Sequence, residues 1–121
     1  MRYNRNDPFR YEFLKPLDCQ FKIIEINNEK VMSRTANAKI IDLSQSGMKM
    51  ETELEIPDNN VQVLLQVSFV IVKEKYDMQC MIIWSKSAGT TNQYGLKFNH
   101  NDKFLENLTN DLKFHAKYHS L

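Results

Sequence analysis

Apolar residues recur at every second position over most of this chain, and the period changes only near its end. Leu17, Cys19, Phe21 and Ile23 alternate with polar neighbours, the pattern of a strand buried on one face. Ala36, Ala38 and Ile40 predict a second strand that leads into Asp42. Met48 and Met50, set between Lys49 and Glu51, predict a third. The strongest period-two signal is Val61, Val63, Leu65, Val67, Phe69 and Ile71. Met78, Cys80, Ile82 and Trp84 continue it on the even positions, which puts Trp84 on the core face. Tyr94, Leu96 and Phe98 predict the last strand and read as core.

Turn residues separate these runs. Asn27-Asn28 predicts a turn, and Ile56-Pro57-Asp58-Asn59-Asn60 a loop, because proline cannot donate to a ladder and Asp and Asn favour turns. Lys73-Glu74-Lys75 predicts a hairpin tip, and residues 87–92, with Gly89, another loop. Beyond Asn101 the period becomes helical. Phe104, Leu105, Leu108 and Leu112 fall on one stripe, with Asn101 as N-cap and Asp102 in the first turn. About six short strands followed by one helix predict an all-β fold, a small antiparallel barrel closed by a C-terminal helix. No repeat or linker divides the chain. One domain spans 1–121, with a flexible basic arm at 1–16, the barrel at 17–99 and the helix at 101–118.

Composition narrows the functional classes. The 121 residues are 42% hydrophobic and 26% charged, with a formal net charge of +1. That balance speaks against a nucleic-acid coat and against a polybasic membrane binder. The basic excess is local: Arg2, Arg5, Arg10 and Lys15 stand against Asp7 and Glu12 in the first sixteen residues. Cys19 and Cys80 lie in alternating runs as small hydrophobes, without metal-ligand spacing, and suit a reducing compartment. No apolar leader segment is visible near the start. The run Val61–Val72 is broken by Gln62, Gln66 and Ser68 and is too short to span a bilayer. His115 and His119, four apart on the helix, read as a solvated face rather than a metal site. No nucleophile with a base partner and no phosphate loop is present.

The remaining chemistry is concentrated in two places. Asp42-Leu43-Ser44-Gln45-Ser46-Gly47 is a polar turn between two strands. Its plain structural reading is turn capping by Asp and Ser, with Gly relaxing the backbone. The basic arm offers guanidiniums, which grip phosphate in a fork and stack on flat rings. A carboxylate and a hydroxyl at a barrel mouth, facing such an arm, suit a small ligand with phosphates and polar base edges.

This combination resembles the PilZ domain family. The resemblance covers the basic arm, the Asp42-x-Ser44-x-x-Gly47 turn, the hairpin-rich strands, the Tyr94-Gly95-Leu96-Lys97-Phe98 strand and the closing helix. It implies a six-stranded Greek-key-like barrel that binds cyclic di-GMP through an Arg-x-x-x-Arg motif on the arm and an Asp/Asn-x-Ser-x-x-Gly motif on the turn. The second motif is complete. In the first, Arg10 matches the second arginine, but position 6 is Asn6, and Arg5 stands one place too early. The resemblance therefore implies ligand contacts from Arg5, Arg10, Asp42, Ser44 and Gly47. The implied function is a cytoplasmic, non-enzymatic bacterial signalling module. It would answer to cyclic di-GMP and pass the signal to a downstream protein, with no nucleic acid polymer, membrane insertion or cofactor. The alternative is an adaptor of the same fold that does not bind the nucleotide.

Overall fold

A computed structural model of the chain describes residues 10–99 and 102–119. Seven strands precede one helix: β1 (Arg10–Ile26), β2 (Glu29–Lys30), β3 (Ala36–Ser44), β4 (Gly47–Thr52), β5 (Val63–Ile71), β6 (Glu74–Ala88), β7 (Thr91–Phe98) and α1 (Asp102–His119). Every pairing is antiparallel, in the order β2-β1-β3-β4-β7-β6-β5. A further β1–β5 pairing, Gln20 to Ile26 against Ser68 to Val63, closes the sheet on itself. Six strands form the wall, and two-residue β2 is appended to the far end of β1. Closure removes the free edges that would otherwise template pairing with another chain.

The alternating residues fill the interior. Ile40, Met50, Val63, Leu65, Val67, Ile71, Met78 and Cys80 are completely buried, and Tyr94 and Leu96 nearly so. Burial pushes the Cys19 thiol up to about 12 and raises that of Cys80 as well. Both are therefore packing groups at neutral pH. The crossover from β4 to β5 passes over one end of the barrel. There Ile56 is buried and its N–H donates to the Tyr94 hydroxyl at 2.7 Å. At the Asn27-Asn28 turn both residues have positive φ, 52° and 66°, a region asparagine tolerates.

Helix α1 covers the other end. Leu108 and Leu112 are buried beneath it. The Tyr76 hydroxyl donates to Asp111, and the Tyr11 hydroxyl and His115 Nδ1 are 2.9 Å apart. The rings of Tyr11 and Phe13 meet His115 edge-on at 5.3 and 5.5 Å. His115 is thus part of the helix docking surface rather than the solvated face expected for it. The side chains of Phe104 and Leu105, and the Asn101 cap, lie outside what the structure describes.

Three boundaries differ from the sequence expectation. The expected loop at 87–92 shrinks to Gly89-Thr90, because Ser87 pairs with Asn92 and Ala88 with Thr91. β1 begins at Arg10 rather than Leu17, because Tyr11 and Phe13 are buried and draw this stretch of the expected arm into the wall. The β5–β6 tip is Val72-Lys73, one position earlier than expected, with Val72 at φ 59°. The rest of the arm, including Arg5 and Asn6, lies outside the described residues.

Leu108→Ala would remove a fully buried side chain from under the helix. A loss of about 2–5 kcal/mol is expected, measured by denaturant unfolding, with early exchange of the α1 amides.

Candidate functional site

Strand geometry allows only two facings, so the side chains offered to solvent are fixed by pairing and by any extra residue inserted into it. Three register shifts shape one outer patch. Between Glu12 and Leu17, β1 makes an excursion relative to β3, with Pro16 in it. In β3, Ile41 is the extra residue between Ile40 and Asp42 opposite β4. In β6, Ile83 is the extra residue between Ile82 and Trp84 opposite β7. Without the Ile41 bulge, Asp42 would share the inward facing of Ile40. Without the Ile83 bulge, Trp84 would share that of Ile82.

The outward residues consequently form two rows across neighbouring strands. In one, Arg10 lies opposite Ser44, Ser44 meets Gly47 across the hairpin, and Gly47 lies opposite Lys97. In the other, Glu12, Asp42, Lys49, Gly95 and Trp84 are successive partners. The rows border a groove of about 400 Å³, lined by Arg10, Lys49, Ile83, Trp84, Gly95 and Lys97 among others.

Asp42 and Ser44 are not part of its lining but are the row partners of lining residues, Asp42 of Lys49 and Ser44 of Arg10, and are 7% and 1% exposed. Arg10 Nη1 lies 2.6 Å from Asp42 Oδ1. Burial pushes the Asp42 carboxyl above the usual aspartate value. The Arg10 guanidinium, the Lys49 ammonium and a hydrogen bond from the Lys49 backbone amide pull it back, while Glu12 adds to the rise. The ion pair is what makes a buried carboxylate tolerable here. Ser44 Oγ accepts from the N–H groups of Ser46 and Gly47 and donates to the Gly47 carbonyl, all at 3.3 Å. Its visible work is to shape the turn, as the plain reading of the motif has it.

The two glycines have steric causes. A Cβ on Gly47 would lie 1.9 Å from the Leu96 carbonyl oxygen, so only glycine lets β4 approach β7 this closely. A Cβ on Gly95 would lie 1.9 Å from Trp84 Nε1. The indole occupies that space and lies over bare backbone as part of the groove lining, 40% exposed. The sequence expectation of a core Trp84 is thus corrected: the alternation is right up to Ile82, and the bulge reverses it.

The structure brings together four of the expected site residues, Arg10, Asp42, Ser44 and Gly47. Arg5 lies outside the described residues. Alternation alone missed Trp84, Lys49 and Lys97. Trp84 was hidden by its bulge, and the lysines read as ordinary solvent-facing strand positions. A wider groove of about 1240 Å³ runs elsewhere on the barrel, past Asp18, Asn37, Lys39, Glu51 and Ser68. It contains none of the expected residues. Within it Lys39 lies 3.4 Å from Asp18, and Glu51 accepts from the Thr91 hydroxyl at 2.6 Å, while Glu53 and Lys75 add further charge to its lining.

The PilZ domain family model matches residues 9–112. This chain is a member of the PilZ domain family. Among solved structures, the fold is similar to that of the PilZ domain with c-di-GMP of YcgR from Escherichia coli. The TM-score is 0.65 and the identity 17%, over 93% of this chain and 91% of that one. No curated protein matches the chain. The six-stranded antiparallel wall with a C-terminal helix expected from the sequence is thus the PilZ fold. Among the described residues of this PilZ domain, no helix is long and apolar enough to cross a membrane.

The glycines separate two kinds of cost. Gly47→Ala sets a methyl against backbone and should destabilise by about 1–3 kcal/mol. Gly95→Ala meets only a half-exposed side chain, so it should retain most of the stability while shifting the emission of the single tryptophan. Thermal unfolding and fluorescence of the two variants check this.

Proposed function

We propose that this PilZ domain binds cyclic di-GMP in the groove between Arg10 and Trp84, and that a protein partner reads the bound form. The observation that carries the reading is the meeting of a guanidinium, a buried carboxylate and an outward indole on one patch of the wall. Each matches a part of the ligand. A carboxylate accepts two hydrogen bonds at once, and the guanine edge presents two adjacent donors, so Asp42 suits the base edge. Arg10, now on Asp42, suits a phosphodiester and the face of a base. The Trp84 indole offers a flat platform, and stacking of a base on an aromatic is typically worth about 1–3 kcal/mol. Gly47 keeps the floor low, and Ser44 holds the turn that positions Asp42. Arg5 is the candidate second guanidinium from the arm. No bond is made or broken, and the module works by binding.

Asn6, in the place where the arm motif requires arginine, favours a second reading, an adaptor of the same fold that takes no nucleotide. Titration calorimetry with cyclic di-GMP, followed also by quenching of the single tryptophan, separates the two. Arg10→Ala should weaken binding about tenfold to a hundredfold, the worth of one charge-assisted contact. Trp84→Phe should keep most of the affinity and Trp84→Ala should lose it. Asn6→Arg should tighten binding about tenfold, unless Arg5 already fills the role, in which case Arg5→Ala weakens it instead. No heat and no quenching from the parent at any accessible concentration would leave only the adaptor.

A further inference from the structure

The Arg10–Asp42 pair does not balance all the charge along the groove. Arg10 is held by Asp42 at 2.6 Å. Lys49 and Lys97 are the other cations of its lining. Lys49 lies opposite Gly95 and Lys97 opposite Gly47, so they are diagonal neighbours on one face of β4 and β7. Such positions lie roughly 7–8 Å apart, within reach of long side chains. Their outer neighbours on these rows are Trp84 and Met81, which carry no charge. Glu51, two residues along β4 from Lys49, accepts from the Thr91 hydroxyl. Glu12 lies beyond Asp42, two strands from Lys49, or roughly 10 Å. Among the described residues neither lysine side chain forms an ion pair or a hydrogen bond, although the Lys49 charge and backbone amide act on Asp42.

Resting on the nucleotide reading above, we propose that Lys49 and Lys97 form a phosphate-holding pair on the barrel wall. The pair takes one of the two phosphodiesters while the Arg10 end takes the other. Two like charges held as diagonal neighbours repel one another in the empty groove, and an anion between them removes that cost. The indole beside Gly95 shields this end from water on one side, which strengthens the attraction. The pair therefore selects for ligands with two separated negative charges over a nucleotide with one phosphate group at the Arg10 end.

The test uses the whole chain and titrates cyclic di-GMP at low and high salt into the parent, Lys49→Met, Lys97→Met and the control Lys86→Met. Lys86 is an exposed β6 residue paired with Gln93 and outside the groove lining. Each groove substitution should weaken binding about three- to tenfold at low salt. The difference should shrink at high salt, because the contact is between partly exposed charges. Lys97→Arg should restore it. Melting of the ligand-free Lys97→Met variant should be unchanged or slightly higher, since a like-charge neighbour is gone. A merely structural lysine would lower it. Parent-like affinity and salt dependence in both groove variants, with the parent binding, overturns this proposal and leaves the nucleotide reading standing. A parent that binds nothing overturns both.

Discussion

A strand in a closed sheet has no freedom in where its side chains point. Pairing fixes the register, alternation fixes the facing, and closure through β1 and β5 removes the edges where a strand could slide. The only way to change facing inside such a wall is to insert a residue. Ile41 and Ile83 are two such insertions, and the outward patch of Asp42 and Trp84 depends on them. One turns a carboxylate outward beside a guanidinium, and the other turns an indole outward beside a glycine. A bulge is costly to the ladder because it leaves a backbone group without its regular partner. Two such insertions flank this one groove, while another, at Ile24 of β1 opposite β5, lies outside its lining.

Electrostatics then divides the groove into two regimes. Beside Arg10 a buried carboxylate is retained by the guanidinium at hydrogen-bond distance. At the outer end two ammonium groups stand over bare glycine backbone in partial contact with water. The first regime is strong and short-ranged and depends on geometry. The second is weaker, reaches further and is screened by salt. On the proposed reading, a dianionic ligand would engage both, trading the internal ion pair of Arg10 for contacts of its own. Helix α1 stays clear of this exchange, because its partners Tyr11 and Phe13 lie on the opposite face of the strand that carries Arg10.

Much of this was legible in the sequence, for physical reasons. Period-two runs such as Val63 to Ile71 are buried on one face and must alternate, so the strands declare themselves. The Leu108 and Leu112 stripe declares the helix in the same way. The Asp42-x-Ser44-x-x-Gly47 turn was visible because its residue types are those a tight polar hairpin needs. Trp84 was misplaced because a bulge adds a residue without changing the composition of the run, and nothing local to Ile82-Ile83-Trp84 announces it. The start of β1 was read too late because Arg10, Glu12 and Lys15 look like a solvated arm. Only the packing of Tyr11 and Phe13 against His115, over a hundred positions away in the chain, shows otherwise. Lys49 and Lys97 were invisible as a pair, since their proximity exists only once β4 and β7 are side by side.

The excursion of β1 between Glu12 and Leu17 has a consequence for how the domain can diverge. Residues 13–16 have no partner on β3, and Leu14 there points fully into solvent. The stretch is slack in the chain. A lineage can add or lose a residue in it and shift neither Arg10 against Ser44 nor Leu17 against Ile40, much as loops absorb length changes elsewhere. A single added residue at 10–12 has no such refuge. It would exchange inward for outward and present the Tyr11 phenol to the groove and a guanidinium to the helix. Length variation among related chains should therefore collect on one side of Glu12 and stop abruptly at it.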